Sequence, residues 1–214
     1  MADGWLKRTL KAAIVRLNVP VLADHVRTGG TACPIQWTHL FFQKLLGVNR
    51  QAYWPVHFTS VVHGARRVRI GVGSAPGASP NCYIQGTNGI EIGDYTLVAP
   101  GVGLVSANHS VHDLSVRETS DPIRIGRYCW IGMNAVVLPG VVLGDHTTVA
   151  AGAVVSRSFP DGYCVLGGVP ARVLRTIDPK DVVERRNEHE YLGFHRLNGK
   201  TRDDVFAKLR IERV

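Results

Sequence analysis

Two histidines three residues apart, His109 and His112, stand in the polar stretch SANHSVHDLSVRE, with Asn108 before the first and Asp113 after the second. An imidazole titrates near pH 6.5, so it can take up and release a proton at neutral pH. It is also a common metal ligand. Asp113 is placed to orient a neighbouring ring. No Cys or Ser in this stretch stands in the arrangement of an activated nucleophile, so any group transfer here would be direct. Cys33, Cys82, Cys129 and Cys164 are widely separated and form no CxxC pair. That argues against a zinc-finger type of site and against a dense disulfide framework. Cys129 and Cys164 read as buried small hydrophobes.

The element that must hold these histidines is legible directly downstream. An aliphatic residue recurs every sixth position at Ile125, Ile131, Val137, Leu143, Val149 and Val155, followed in most cases by Gly126, Gly132, Gly144, Ala150 or Ser156. Neither the helical period nor simple alternation produces this spacing. A six-residue repeat is the signature of a parallel β-helix, in which short strands and tight corners wind into a prism. Three hexads per coil stack Ile125 under Leu143, Ile131 under Val149 and Val137 under Val155. One hexad cannot bury its aliphatic residue alone, whereas stacked coils bury a continuous column.

Upstream the repeat is imperfect, from VVHGARRVRIG through Ile84, Ile90, Ile92-Gly93, Val98-Ala99 and Leu104, with an interruption at SAPGASPN. Leu104 and Ile125 are 21 positions apart, against 18 for three hexads. The surplus implies a loop over 106–122 that leaves the prism and carries His109 and His112, and projecting loops are where chemistry usually sits.

The expected organisation is an N-terminal helical segment (1–55), a β-helix (56–177) and a C-terminal helical tail (178–214). The pattern predicts amphipathic helices over 4–17 and 36–46, and charged helices over 179–191 and 201–211. The tail reads as a polar cap for the open end of the solenoid. The 214 residues carry 25 Lys and Arg against 17 Asp and Glu, a formal charge of +8. That favours anionic partners. No nucleic-acid module is recognisable, and a groove for a phosphorylated cofactor is the more economical reading. No cleavable signal and no run of about 18 apolar residues is present. The expectation is a cytoplasmic protein. The basic, aromatic N-terminal helices allow a peripheral contact at the inner face of the membrane.

Four motifs in order, IEIGDYTLVAPGV (90–102), Asn108-His109, PIRIGRYCWIG (122–132) and GGVPARVLR (167–175), make the chain resemble the hexapeptide-repeat acyltransferases. The galactoside, maltose and nodulation-factor O-acetyltransferases and their polysaccharide-modifying relatives are the members it most resembles. The resemblance spans roughly 65–175. It implies an all-β core that is a left-handed parallel β-helix, acetyl-CoA as co-substrate without a metal, a sugar or saccharide acceptor and a homotrimer with its cofactor cleft between subunits. By the same resemblance His109 is the general base that deprotonates an acceptor hydroxyl, and the Met133 backbone N–H holds the oxyanion. Gly132, Ala151, Ser156, Arg157 and Arg172 line coenzyme A, while Asn81, Tyr83, Gln85, Asn108 and His112 face the acceptor. A role in surface polysaccharide biosynthesis and transfer to a sugar amine both stay open. So do two other readings: a zinc hydratase of the γ-carbonic-anhydrase kind using His109, His112 and His146, whose spacing departs from that pattern, and a non-catalytic β-helix scaffold.

Overall fold

The computed structural model describes residues 20–214. The helix expected over 4–17 lies outside them. From Val61 to Thr176 the chain winds as a left-handed parallel β-helix with three faces. Face A holds β1 (Val61–His63), β3 (Tyr83–Gln85), β6 (Gly103–Val105), β9 (Val136–Val137) and β12 (Val154–Val155), hydrogen-bonded in that order. Face B holds β2 (Val68–Arg69), β4 (Ile90–Ile92), β7 (Ile123–Ile125) and β10 (Val142–Leu143). Face C holds β5 (Leu97–Val98), β8 (Trp130–Ile131), β11 (Thr147–Val149) and β13 (Cys164–Gly167). β14 (Arg172–Thr176) then folds back antiparallel onto β13 and ends the winding.

The three stacks expected from the hexads are the observed strand registers: Ile125 with Leu143, Ile131 with Val149, Val137 with Val155. All six side chains are buried. The small residue after each aliphatic one is explained by the corners. A Cβ built on Gly93 would lie 2.6 Å from the main chain of Gly126 and Arg127, and one on Gly132 would lie 2.6 Å from the Val149 carbonyl oxygen. Corner backbones of successive coils approach too closely for a side chain to stand between them.

What points outward differs by face. Face B presents Arg69, Glu91 and Arg124, linked as a charge ladder with Arg69–Glu91 at 4.0 Å and Arg124–Glu91 at 3.7 Å. Face A presents Val61, Tyr83, Val136 and Val154 in one register column, and face C presents Leu97, Trp130, Thr148 and Val165. Two faces are therefore largely apolar and one is polar.

Before the prism come α1 (Pro20–Thr28) and α2 (Trp37–His39), which runs on into a π-helical turn (Leu40–Leu45). The helix expected over 36–46 is thus present, in a widened form. Gln43 holds it to the first coil: its side-chain amide donates to the carbonyls of Ala52 and Trp54 at 3.0 and 2.9 Å and accepts from Val56 N–H at 3.0 Å.

The tail departs from expectation. Over 179–191 there is only a 3-10 turn (Pro179–Asp181), then irregular chain, then a hairpin of β15 (Tyr191–Leu192) and β16 (His195–Arg196). Helix propensity is a weak prior, and here side chains of the prism supply better partners than a helix would. Glu184 meets His146 Nε2 at 3.0 Å, Tyr95 Oη donates to Glu190 at 3.3 Å, and the Gly73 N–H donates to the Tyr191 carbonyl at 3.0 Å. The second expected helix is present as α3 (Arg202–Leu209), capped reciprocally by Thr201 and Asp204. Nor does the tail cap the C-terminal opening. It runs back along the prism to the first coils, where Phe206 lies under the Arg69 guanidinium and Asp203 pairs with Arg69 at 3.0 Å.

Gly93→Ala is expected to destabilise the protein by about 1–3 kcal/mol, the usual cost of overpacking. Gly103→Ala, whose added Cβ meets nothing nearer than 3.6 Å, should change stability by less than about 0.5 kcal/mol. Urea unfolding of the two variants reads the contrast; equal losses would refute the corner explanation.

Candidate active site

The projecting loop leaves face A at the end of β6 and re-enters at β7 on face B, so it stands on the edge between those faces. Its base is anchored by Gln85, which lies buried at the end of β3. The Gln85 amide donates to the Ala107 carbonyl at 3.0 Å and accepts from the Ala107 N–H at 2.9 Å, and Ser106 Oγ donates to the same oxygen at 3.3 Å. Gln85 was expected to face the acceptor. It is instead enclosed beneath the loop with its amide committed to the loop backbone, because Ala107 is the first residue to leave the strand ladder and a buried main-chain pair needs partners.

Beyond Ala107 the loop is a small antiparallel arch. The Glu118 N–H donates to the Asn108 carbonyl at 2.9 Å, Ser110 N–H to Val116 at 2.8 Å, and His109 forms a bridge with Arg117. Asp113 does not orient an imidazole. Its carboxylate accepts from the Ser115 N–H and hydroxyl at 2.9 and 2.6 Å and shapes the turn; these bonds hold its pKa below the usual carboxylate value.

His109 is exposed, and its Nδ1 lies 2.6 Å from the Leu114 carbonyl oxygen. A carbonyl can only accept, so Nδ1 must carry the proton and the neutral ring presents its lone pair at Nε2. The ring is thereby fixed in orientation and tautomer, as a general base requires. Asn108 and His112 are exposed beside it, His112 without a side-chain bond among the described residues.

Met133 sits on a different edge, the corner from face C to face A, directly after Trp130-Ile131-Gly132. Its side chain is half exposed, its carbonyl accepts from Gly152 at 2.8 Å, and among the described residues its N–H donates to no partner. An uncommitted backbone N–H on a rigid corner is a preformed donor for a developing oxyanion. Ala151 occupies the equivalent position one coil on, exposed and small. Ser156, Arg157 and Arg172 are exposed near the C-terminal end of the winding; the Arg157 guanidinium lies 5.0 Å from the Phe159 ring, and Arg172 donates to the Ala171 carbonyl at 3.0 Å.

Asn81 and Tyr83 are exposed at the start of β3 on face A. The rung beside Tyr83 is Gly103, which has no side chain to cover the phenol ring. Face A thus separates the His109 edge from the Met133 edge, and one chain does not bring the two groups together.

His146 lies elsewhere, stacked between Tyr128 and Tyr163 with centroids at 5.3 and 4.9 Å. It does not converge with His109 and His112, and no group of three His, Cys, Asp or Glu suited to a metal occurs among the described residues. The aromatic ladder of Tyr95, Tyr128, His146 and Tyr163, all with positive φ near 45–56°, was not anticipated. Its signal was the shared place of Tyr95, Tyr128 and His146 two residues after Gly93, Gly126 and Gly144, with Tyr163 directly after Gly162. All four cysteines are free, and burial pushes the Cys33 and Cys129 thiols up to about 11, which removes them as thiolate nucleophiles.

This winding and these corners have known counterparts. Residues 122–157 match the family described as bacterial transferase hexapeptide (six repeats). The chain is 38% identical over 143 residues to nodulation protein L of Rhizobium meliloti, spanning 64% of this chain and 74% of that protein. It is 35% identical over 140 residues to galactoside O-acetyltransferase of Escherichia coli, spanning 64% of this chain and 65% of that enzyme, a little under two thirds of its length. Among solved structures, a maltose O-acetyltransferase from Clostridium difficile shares the fold with a TM-score of 0.54 at 20% identity, over 75% of this chain and 90% of that one. A galactoside acetyltransferase in complex with coenzyme A does so with 0.53 at 24%, over 76% and 85%. The chain belongs to the hexapeptide-repeat acyltransferase family.

Gln85→Ala should leave the Ala107 pair unsatisfied, at a cost of about 1–3 kcal/mol. Hydrogen exchange at Ala107 should accelerate by at least tenfold while the Ile84 and Leu104 amides stay protected. Unchanged exchange at Ala107 would show that Gln85 does not anchor the loop.

Proposed function

We propose that the protein is an acetyl-CoA-dependent O-acetyltransferase acting on a hydroxyl of a sugar or saccharide acceptor. The observation that carries this reading is the His109 Nδ1–Leu114 bond, which leaves Nε2 as the free base on an exposed loop. Nε2 takes the proton of the acceptor hydroxyl as its oxygen attacks the thioester carbonyl. The carbonyl oxygen gains charge and is held by the Met133 N–H. The tetrahedral intermediate then collapses, the C–S bond breaks, and the protonated imidazole returns its proton to the departing thiolate. Transfer is direct, without an acyl-enzyme.

Coenzyme A lies along the corner of faces C and A, where the small residues Gly132 and Ala151 admit the pantetheine arm. Arg157 and Arg172, with Ser156, meet the phosphates through charge-assisted bonds. Asn81, Tyr83, Asn108 and His112 bind the acceptor, and Gln85 acts by positioning the loop. Because His109 and Met133 stand on different edges, the site is completed between copies in a homotrimer, with apolar faces A and C forming the contact. Nodulation protein L and the galactoside O-acetyltransferases are the relatives that support this assignment, and a place in surface polysaccharide biosynthesis in the cytoplasm is consistent with it.

His109→Ala should lower kcat by about 10²–10⁴-fold with acetyl-CoA and a panel of free, nucleotide-linked and lipid-linked sugars, followed by thiol release. Undiminished turnover would exclude His109 as the base.

We also propose a peripheral contact with anionic membrane through the N-terminal region. Trp37, Phe41 and Leu45, four residues apart, are exposed by 51, 50 and 71%, and the sequence before residue 20 carries Lys7, Arg8, Lys11 and Arg16. No helix among the described residues is long and apolar enough to span a bilayer. Co-sedimentation with phosphatidylglycerol vesicles should fall at least fivefold in Phe41→Ser/Leu45→Ser; equal sedimentation of the two proteins would refute the contact.

A further inference from the structure

The corner between faces C and A changes chemistry part-way along the prism. Each coil turns there through a pair of residues of which the second has positive φ: Pro80-Asn81, Pro100-Gly101, Met133-Asn134 and Ala151-Gly152. The pairs are stacked by hydrogen bonds, from Gly101 N–H to the Pro80 carbonyl at 3.0 Å, Asn134 to Pro100 at 3.0 Å and Gly152 to Met133 at 2.8 Å. The first residue of each pair therefore forms a column. At Ala151 and Met133 it has an N–H that is committed to no partner among the described residues. At Pro100 and Pro80 it has none. A polar arm laid along this column finds backbone donors as far as Met133 and none at Pro100 or Pro80 beyond it.

Next to Met133, on the proline side, a cavity of about 190 Å³ opens on face C. Trp130 and Leu97, paired across adjacent strands, form one wall; Ala99 and Ala78 lie along the corner; Ala32 and Cys33 of the segment before α2 form the roof. Ala99 donates to the Ile131 carbonyl at 2.9 Å, so this wall is the rung beside Gly132-Met133, about 4.8 Å away by strand spacing. The Ser79 hydroxyl in the lining is spent on the Val98 carbonyl at 2.8 Å, which leaves the Trp130 indole N–H as the other polar side-chain group of the wall. The Cys33 thiol, pushed up to about 11 by burial, stays neutral and serves as an apolar surface.

We infer that this cavity receives the acyl chain of the thioester and admits chains longer than acetyl. The inference rests on the proposed function, since it places the thioester carbonyl at the Met133 N–H. With the carbonyl oxygen there and the sulfur toward Ala151, the acyl carbons point to Pro100 and to this hollow, where the Leu97, Ala99 and Trp130 side chains offer apolar contact. The volume is about six times the roughly 30 Å³ share of a liquid water. A lone methyl group leaves most of it empty.

Calorimetric titration of the full-length protein with coenzyme A, acetyl-CoA and butyryl-CoA, without acceptor, tests this. Burying a methylene is worth about fourfold in affinity, so butyryl-CoA should bind roughly tenfold or more tightly than acetyl-CoA. Cys33→Phe, which fills the roof, should bring the butyryl-to-acetyl ratio to near one. Ala32→Phe, at an exposed position that does not challenge folding, should reduce the ratio in the same direction. Equal affinities in the unaltered protein, or a ratio that neither variant changes, overturns the acyl pocket while leaving the proposed function standing. Failure of all three ligands to bind overturns both.

Discussion

Successive coils of this protein lie one strand spacing apart, and every other feature follows from that closeness. Inside, it presses the aliphatic columns together and removes them from water. At the corners after faces B and C, it brings main chain against main chain, so the residue after the aliphatic position is glycine or another small residue; after face A, Leu138 is tolerated. The corners are thus rigid and bare, with backbone groups instead of side chains at the surface. A bare corner is what permits a narrow, extended ligand to lie along the prism and use N–H groups as fixed donors.

The projecting loop suspends the winding between β6 and β7, and its cost is met locally. Leaving the ladder exposes the Ala107 peptide groups in a buried setting, and the Gln85 amide satisfies both. From that anchor a short arch with its own backbone bonds carries His109 outward, where the Leu114 carbonyl selects the tautomer. The His109 ring is held by the Leu114 carbonyl above the Gln85 anchor, with no carboxylate partner among the described residues. The prism then imposes a separation: the His109 loop and the Met133 corner lie on different edges, with an apolar face between them. In the proposed function, a second copy resolves this, and the apolar faces that would otherwise meet water become the contact.

The polar face has a different use. Its charge ladder and the aromatic ladder at the next corner receive the returning tail, whose acidic residues meet His146 and Tyr95 and whose helix covers Arg69. The tail ties the last residues of the chain to the first coils, so the ends of the winding are linked across its length.

The hexads from Ile125 to Val155 were legible because one stacking rule acts at every sixth residue. The spacing from Leu104 to Ile125 pointed to the loop, but the comparison with 18 put both residues on one face; Leu104 stacks with Val137 and Ile125 with Ile92, so 21 positions replace a single hexad of 6. His109 and Met133 could be singled out through motif resemblance, since the motifs keep a fixed order along the repeat. Gln85 could not be assigned its role, because a glutamine facing a ligand and one holding a buried peptide look the same in a string of letters. The 179–191 segment departs from a helix for a related reason: Glu184 and Glu190 are committed to rings far away in sequence. The sequence by itself determined the winding, the corners and the identity of the loop, all set by contacts that recur at short, regular intervals. Only the tertiary structure decided which nitrogen of His109 is free, what Gln85 holds, where the tail lies and which edge each group occupies, because those depend on single contacts between residues that no period relates.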